Sequence, residues 1–384
     1  MSDRAFLNAM VAVEQAWLDA LIDAGIAPQS ARADLDAYVS DDDLEPLARD
    51  ADVDGNPVSA LVARLRLRAA EPTARWLHRG LTSQDVVDSA LMVCVRDALD
   101  RVRDELAGQV RALSALTEKH RATPMLARTL TQAALPSTGG VKMARWLSAV
   151  LDAAEPLAEL RVPVQAGGAA GTLAAAVELS GSVEGAISLG DSLAVALGLA
   201  PAPPWHTTRS TVTRIGDALA TCCDAWGYIA TDVATGSRPE IGELAEAGGG
   251  KSSTMPHKNN PVRSVLIRRT AMTAGPLAAT LHSAAAMSVD ERSDGAWHVE
   301  WATLRTLTRR TVTAAAHTTE LLAGLQIDAI RASANLAGAE GVSSEQQSMT
   351  ELTGRPASAD YLGAAEQLID SALQRAGHYL KDTP

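Results

Sequence analysis

The sequence predicts an all-α protein built as a bundle of long helices. Aromatic residues that favour strands are scarce, with one phenylalanine and four tyrosines among 384 residues, and runs that alternate apolar and polar residues are absent. Apolar residues make up 47% of the chain and are dominated by alanine and leucine, which favour helices. Three stretches also repeat apolar residues at spacings of three and four, as packed helices do.

The N-terminal part is predicted to begin with a helix that buries one face. Its expected start lies after Ser2 or Asp3, and Gly25 and Pro28 are expected to end it, because both residue types are typical of helix ends. The acidic stretch 41–54 is predicted to be a loop. Helices and short turns are then expected to alternate towards the centre of the chain.

The centre of the chain carries the apolar repeats, which have a seven-residue period. They cover 143–157, 212–233 and, more weakly, 304–325. Helices with such a repeat pack side by side at a shallow angle. One chain supplies only a few of them, so pairing between subunits is expected. A glycine-rich run at 163–175 interrupts this region.

Composition and charge exclude several classes of protein. The net charge of −12 argues against nucleic acid or an anionic membrane as a partner, and an anionic substrate would need a local cluster of cations. Cys94, Cys222 and Cys223 lack the spacing of a metal site, and their odd number suits reduced thiols. The chain has no apolar run of membrane-spanning length and no signal-peptide pattern. A soluble, cytoplasmic protein is predicted.

The segment 248–261 is the most informative stretch for function. Three glycines lead into hydroxyl, ammonium, imidazole and amide side chains, with Met255 as the one large apolar residue. Such a segment adds little to a core, so it is predicted to be a flexible cover that brings a hydroxyl and a cation onto an anionic ligand. A phosphate-binding P-loop is rejected, because Ala245 stands where that motif needs glycine and no strand leads into it.

This loop resembles the signature loop of the fumarase/aspartase superfamily, Ser-Ser-x-Met-Pro-x-Lys-x-Asn-Pro. The matching residues are Ser252, Ser253, Met255, Pro256, Lys258, Asn260 and Pro261. The resemblance implies that Ser252 removes a proton alpha to a carboxylate, and that Lys258 and Asn260 bind substrate carboxylates. Ser253 and Met255 are predicted to join them in substrate binding. The Asn260–Pro261 pair also suits a helix start, with Asn260 as N-cap.

The segment 78–85 is the second candidate site. Thr82 followed by Asp85 resembles a capping box, which would make it purely structural. The same helix start would hold a carboxylate with backbone N–H groups and the hydroxyls of Thr82 and Ser83. It also resembles the first signature region of the superfamily. Thr82 and Ser83 are therefore predicted to bind substrate and Asp85 to orient them, while His78 would act as an acid or bind a carboxylate as imidazolium.

The segment 128–136 resembles the second signature region only in part. Arg128, Thr129 and Gln132 suit carboxylate binding, although they could instead brace the bundle. Fumarases and adenylosuccinate lyases have a histidine where this chain has Leu130. That histidine is tied to protonating the leaving group, which leucine cannot do. The departure weighs against both of those activities.

Two further segments, 204–209 and 289–301, resemble the 3-carboxy-cis,cis-muconate cycloisomerase branch of the superfamily. The usual His-Glu-Arg of that branch begins with Asp290 here. The resemblance implies that Glu291 polarises a neighbour and that Arg292 meets a carboxylate, with Arg209 as a further candidate for substrate binding. Trp297 and Trp301, four residues apart, are more typical of helix packing than of recognition.

The resemblance implies a cycloisomerase that interconverts 3-carboxy-cis,cis-muconate and a carboxymuconolactone in protocatechuate breakdown by the beta-ketoadipate route. It implies no metal or organic cofactor, and a homotetramer around a central helical bundle with sites where three subunits meet. Two alternatives stay open. One is a C–N lyase that releases fumarate from a succinyl or nitrosuccinyl compound, with His78 or His298 as acid. The other is a catalytically silent paralogue kept for binding or assembly.

The predicted domain organisation follows chain order. An N-terminal helical domain is expected at 1–100, a long-helix bundle at 101–340 and a short helical C-terminal part at 341–384. Against the usual architecture of the superfamily, the chain is expected to start at the first long helix and to have a shortened C-terminal domain.

Overall fold

The computed structural model of the chain describes residues 1–251, 253–255 and 258–382. Within these ranges the chain forms fourteen α-helices, and its named strands make three two-stranded antiparallel sheets. The predicted all-α class is confirmed, and the small sheets are additions that the sequence analysis did not anticipate.

The elements follow one another in this order. The helices are α1 (Asp3–Asp23), α2 (Leu44–Asp54), α3 (Val58–Arg68), α4 (Thr73–Trp76), α5 (Ser83–Lys119), α6 (Gly139–Glu159), α7 (Ala174–Ser180), α8 (Val183–Leu197), α9 (Ser210–Gly236), α10 (Val262–Ala286), α11 (Gly295–Ala323), α12 (Ala329–Ala337), α13 (Ser344–Thr353) and α14 (Ala365–Asp382). The strands are β1 (Pro124–Thr129), β2 (Gln132–Thr138), β3 (Leu244–Glu246), β4 (Gly250–Lys251), β5 (Asn259–Asn260) and β6 (Leu325–Ile327).

Helix α1 begins and ends as predicted. The Ser2 hydroxyl accepts a hydrogen bond from the Ala5 N–H at 3.1 Å, which caps the first turn. Gly25 follows the helix with a φ of 71°, a conformation that favours glycine. In the described residues α1 is the one helix long and apolar enough to cross a membrane. Because Trp17 and Leu21 are at most 1% exposed, α1 is a core helix of the fold.

The prediction of a loop at 41–54 is wrong. A 3-10 turn at Asp41–Asp43 leads directly into α2. The Asp43 carboxylate accepts a hydrogen bond from the Ser40 N–H at 2.9 Å, and Leu47 is buried on the inner face of the helix. Acidic residues at a helix N-terminus are favourable because they meet the positive end of the helix dipole. The acidic composition that suggested a loop therefore stabilises a helix start.

The long helices coincide with the apolar repeats. Helix α6 contains the run 143–157, and α9 contains the run 212–233, whose seven seam residues are at most 2% exposed. The third repeat was predicted one turn too far, because α11 ends at Ala323 and Leu325 belongs to β6, which pairs with β3. In this part of the chain, Gln109 of α5 accepts from Trp226 Nε1 at 2.7 Å and donates to the Ala315 carbonyl at 3.0 Å.

The chain divides into two compact units. The first consists of Met1–Asp100, Leu160–Asp217 and Pro276–Arg309, and the second of Arg101–Glu159, Ala218–Gly275 and Arg310–Pro384. Each unit thus combines three separate segments, whereas the predicted division follows chain order. The reason is that α5, α9, α10 and α11 each contribute residues to both units.

Candidate active site

The predicted site residues are divided between the two units. The first unit holds His78, Thr82, Ser83, Arg209, Glu291 and Arg292, and the second holds Arg128, Thr129, Gln132, Ser253, Met255, Lys258 and Asn260. Ser252, Pro256 and His257 of the signature loop lie outside the described residues. The role of Ser252 as the base therefore stays a prediction.

Asp85 organises the start of α5. Its carboxylate is fully buried and accepts four hydrogen bonds. One oxygen accepts from the backbone N–H groups of Thr82 and Gly168, each at 2.9 Å. The other accepts from the Gly167 N–H at 2.9 Å and from His206 Nε2 at 2.8 Å. These contacts favour the predicted orienting role, because they tie the helix start to the glycine-rich run.

Thr82 and Arg292 lie in contact, although they are 210 residues apart in the chain. Arg292 Nη2 donates to the Thr82 hydroxyl and, at 3.3 Å, to the Ala169 carbonyl. Arg292 and the neighbouring Glu291 are exposed, and Ser83 is partly buried as the first residue of α5. A guanidinium beside a hydroxyl and a helix N-terminus is well suited to a carboxylate ligand. The structure thus brings together three of the predicted binding groups.

Arg209 is buried and already bound by two carboxylates. Arg209 is 3% exposed, and its guanidinium donates to Asp88 at 2.8 and 3.0 Å and to Glu300 at 3.0 and 3.1 Å. Burial opposes the positive charge, but the Asp88 and Glu300 carboxylates outweigh it and raise the pKa of Arg209. The geometry therefore favours a structural role for Arg209 over the predicted substrate contact, since the paired guanidinium has no surface left for a ligand.

The buried network around Arg209 contains residues that the sequence analysis missed. Asp88 also accepts from Trp297 Nε1 at 2.9 Å, which supports the interpretation of that tryptophan as a packing residue. Gln165 accepts from the Trp205 N–H at 2.9 Å and lies 3.3 Å from Asp88. The sequence did contain a signal for Asp88. It follows Asp85 by three positions, and this spacing places both carboxylates on one face of α5.

The two histidines proposed as acids differ in their contacts. His298 has both ring nitrogens at carbonyl oxygens, Nδ1 at 3.0 Å from Asp294 and Nε2 at 2.7 Å from Gly55. His78 Nδ1 lies 2.6 Å from the Glu14 carboxylate, and its Nε2 has no hydrogen-bond partner among the described residues. His78 therefore has a ring nitrogen available to a ligand, whereas His298 would have to give up a contact first.

Leu130 stands at the tip of the hairpin formed by β1 and β2. Thr129 pairs with Gln132, so Leu130 and Thr131 form a two-residue turn, with φ values of 46° and 72° as in a type I′ turn. Leu130 is 96% exposed, and Thr129 and Gln132 are also exposed.

Arg128 of β1 is engaged by a buried carboxylate. Its guanidinium donates to both oxygens of Glu243, at 2.7 and 3.0 Å, and Glu243 is only 2% exposed. Asn335 donates to the same carboxylate at 2.8 Å. The geometry favours the alternative in which Arg128 braces the fold, because the two charges already neutralise each other.

The signature loop is closed at its base by a short pair of strands. Gly250 pairs with Asn260, and Lys251 with Asn259. The Asn260 amide donates to the Gly250 carbonyl at 3.1 Å, and the Lys258 N–H donates to the Met255 carbonyl at 3.0 Å. Ser253, Met255 and Lys258 are exposed. These three predicted binding residues therefore lie at the surface of the chain, whereas Asn260 is partly buried.

The helix start after the loop was predicted with the wrong cap. Helix α10 begins at Val262, close to the predicted position. Asn260, however, points its amide at Gly250, and Glu246 accepts from the N–H groups of Arg263 at 3.1 Å and Ser264 at 2.7 Å. A carboxylate from another part of the chain caps the helix instead of the adjacent asparagine.

Comparison with known proteins agrees with these features. A family model described as Lyase matches residues 1–274. The nitrosuccinate lyase of Streptomyces davaonensis is 43% identical over 349 residues, which are 88% of this chain and 73% of that protein. The 3-carboxy-cis,cis-muconate cycloisomerase of Bradyrhizobium diazoefficiens is 36% identical over 386 residues, covering 97% of this chain and 83% of the relative.

A solved structure shows the same fold over nearly the whole length of the chain. The crystal structure of the 3-carboxy-cis,cis-muconate lactonizing enzyme from Pseudomonas putida has a TM-score of 0.84 and 28% identity, and covers 98% of this chain and 96% of that one. The chain belongs to this lyase family, the fumarase/aspartase superfamily that the signature loop indicated. Within it, relatives named as cycloisomerases and as a lyase both match most of the chain.

Proposed function

We propose that this chain is an enzyme that expels, or in reverse adds, a weakly basic anion at the carbon beta to a carboxylate. Ser252 is the base that exchanges the proton on the alpha carbon. The observation that carries the proposal is the contact between Thr82 and Arg292 at the start of α5. A guanidinium beside a hydroxyl can bind a carboxylate. The signature loop of the same chain retains the serine, lysine and asparagine of the family, at Ser252, Lys258 and Asn260.

The chemistry needs positive charge and N–H donors where negative charge develops. Removal of an alpha proton from a carboxylate leaves a doubly charged aci-carboxylate, and fixed donors in the site stabilise it. Lys258, Asn260, Arg292, Thr82 and Ser83 are proposed to do this. Arg128 and Arg209 are left out of this set because buried carboxylates already hold their guanidinium groups.

The leaving group must depart without protonation by a residue at position 130, because Leu130 cannot act as an acid. General acid catalysis is typically worth about 10²–10⁴-fold, and a strongly basic amine or hydroxide would need it. A carboxylate is a stable anion and needs less protonation, and the same holds for nitrite. Leu130 therefore restricts the substrates to those whose leaving group is a weakly basic anion.

The first candidate reaction is the interconversion of 3-carboxy-cis,cis-muconate and a carboxymuconolactone. In the direction of lactone opening, Ser252 takes the alpha proton, the carbon–oxygen bond breaks, and the ring oxygen leaves as a carboxylate. The solved structure from Pseudomonas putida and the cycloisomerase relatives support this candidate. The protein is then proposed to be a cytoplasmic homotetramer with sites shared between subunits, which acts in the breakdown of aromatic compounds.

The second candidate is elimination of nitrite from nitrosuccinate with formation of fumarate. Its support is the 43% identity to a nitrosuccinate lyase, which exceeds the 36% identity to the cycloisomerase of Bradyrhizobium. The same base and the same carboxylate-binding groups would serve it, because the carbon–nitrogen bond breaks as the alpha proton is removed.

One pair of assays tests both candidates. Loss of the diene absorbance of enzymatically generated 3-carboxy-cis,cis-muconate is followed in the ultraviolet, and nitrite and fumarate are measured after incubation with nitrosuccinate. Ser252→Ala is the control in both. Turnover that disappears in the variant identifies the substrate. If neither substrate reacts with the parent protein, the proposed function is wrong and the silent paralogue becomes the better hypothesis.

A further inference from the structure

Glu14 is a buried carboxylate that none of the sequence motifs includes. It lies on α1 and is 1% exposed. One oxygen is 2.6 Å from His78 Nδ1, and the other has no hydrogen-bond partner within the described ranges. Burying a carboxylate is costly unless it is paired, so a residue of this kind is expected to serve the group that it contacts.

The backbone on either side of His78 is held by hydrogen bonds, in addition to the contact that its ring makes with Glu14. Its backbone is left-handed, with a φ of 60°, which is uncommon for a residue other than glycine. The preceding carbonyl of Leu77 accepts from Arg66 at 2.8 Å, and the following carbonyl of Arg79 accepts from Trp17 Nε1 at 2.6 Å. A strained residue persists where its surroundings over-determine it, and such residues cluster at functional sites.

The contact with Glu14 determines which nitrogen of His78 can meet a ligand. An ionised carboxylate only accepts, so Nδ1 carries the hydrogen of this bond. Nε2 is then the remaining nitrogen, and in the imidazolium form it is a charged N–H donor that suits a carboxylate. Arg66 of α3 lies near this pair, within reach of the charges of both Glu14 and Arg79. Burial and the charge of Arg79 lower the pKa of Arg66, whereas the negative charge of Glu14 opposes that shift.

We propose that Glu14 is a positioning residue that fixes the His78 ring through Nδ1, so that its Nε2–H binds a carboxylate of a substrate seated at the start of α5. Thr82 follows His78 by four residues, and Arg292 contacts Thr82 from the other side. The inference rests on the proposed substrate class, a small polycarboxylate, and not on which of the two reactions takes place. It concerns binding only, so no step of the chemistry is assigned to His78.

The test uses tricarballylate, a saturated tricarboxylate without a leaving group. Its dissociation constant is measured by calorimetry for the parent protein, Glu14→Gln, His78→Gln and the double variant. His78→Gln is expected to weaken binding by about tenfold to a hundredfold, the range of a lost charge-assisted hydrogen bond. Glu14→Gln keeps the shape of the side chain but removes its charge, and is expected to weaken binding by at least about fivefold. The double variant should bind no more weakly than His78→Gln, because the two residues act as one unit.

Asp19→Asn is the matched control. Asp19 is a carboxylate on the same helix, and it pairs with Arg32 at 2.8 Å, outside the site. Its removal should leave the affinity for tricarballylate unchanged. A merely structural role for Glu14 predicts a lower melting temperature for Glu14→Gln with an unchanged dissociation constant, and that result would overturn the inference. Additive effects in the double variant, or a parent protein that does not bind tricarballylate, would overturn it too.

A second measurement decides the matter if Glu14→Gln does not fold. The nitrogen-15 shifts of the His78 ring are recorded in the parent protein at neutral pH with tricarballylate bound. Two protonated ring nitrogens support the inference, and a neutral ring contradicts it. Neither experiment uses turnover. A parent protein that binds tricarballylate through His78 but converts neither substrate would contradict the proposed function and leave this inference intact.

Discussion

The start of α5 and the signature loop 248–261 differ in how far their polar side chains are buried. Asp85 and Asp88 at the helix start are fully or almost fully buried, and each accepts several hydrogen bonds. The loop is joined at its base by two residue pairs, and Ser253, Met255 and Lys258 are exposed. One region therefore depends on buried charge for its geometry, while these three described residues of the other carry polar or apolar side chains that face solvent.

Because of this difference, substitutions at the start of α5 are expected to affect stability, and substitutions in the loop are expected to affect catalysis. Removing one partner of a buried ion pair leaves the other charge uncompensated, which destabilises the fold. Removing a side chain from an exposed loop leaves no cavity and no buried charge, so its effect should fall on catalysis alone. Substitutions in the two regions are therefore expected to give opposite patterns of loss.

The largest expected effect is on catalysis in the loop. Ser252→Ala should lower kcat by about 10²–10⁴-fold or more, because it removes the proposed base. The melting temperature should stay within experimental error of the parent value. Steady-state kinetics and calorimetry check this, with Ser253→Ala as the control for a neighbouring hydroxyl. If the Ser252→Ala variant kept full activity, Ser252 would not be the catalytic base.

The next effect is on stability at the start of α5. Arg209→Met should lower the free energy of unfolding by about 3–5 kcal/mol, because Asp88 and Glu300 would stay buried without their cation. Arg263→Met is the matched control, since its partner Glu320 is mostly exposed and the pair is worth about 0–1 kcal/mol. Urea unfolding measures both. Equal losses in the two variants would contradict the structural role of Arg209.

A smaller loss is expected in the glycine-rich run that Asp85 holds. A Cβ on Gly167 would lie 2.6 Å from the His206 ring and 2.8 Å from Pro204, so Gly167→Ala should cost about 1–3 kcal/mol of unfolding free energy. Gly190 in α8 has no atom within 4 Å of such a Cβ. Gly190→Ala should therefore stabilise the protein by about 0.5–1 kcal/mol, as alanine does inside a helix. Thermal unfolding that shows the same sign for both variants would disprove the crowding argument.

The smallest effect extends the comparison to the exposed hairpin of β1 and β2. Thr131 has a φ of 72°, which is strained for a β-branched residue, so Thr131→Gly should stabilise the fold by about 1 kcal/mol. Thr129→Gly in the extended strand should instead destabilise it by a similar amount. Urea unfolding curves with both shifts in one direction would argue against the type I′ turn.

Much of the fold was predictable because it depends on local patterns. The apolar repeats of α6 and α9 and the capped start of α1 follow from spacing and residue type alone. The errors arose where a distant partner intervened. Stretch 41–54 forms a helix through its contact with the core at Leu47, and Glu246 replaces Asn260 as the cap of α10.

The candidate site was predictable only as a set of residue types. Arg128, Arg209 and Arg292 were all candidates for carboxylate binding by sequence. The structure distinguishes them by the groups that each guanidinium contacts. Glu243 is 115 residues from Arg128, and Asp88 is 121 residues from Arg209. No local pattern indicates such partners, because they meet only when the long helices pack. Glu14 is 64 residues from His78 and was missed for the same reason.

Residue spacing and a contiguous loop motif are enough to predict the helical class, the positions of the long helices and the family, because that information lies along the chain. Only the packing of the helices shows which charged side chains are paired in the core and which stay exposed. That choice is a matter of burial, since a guanidinium between two carboxylates in the core is structural, whereas the same group at the surface beside Thr82 can bind an anion.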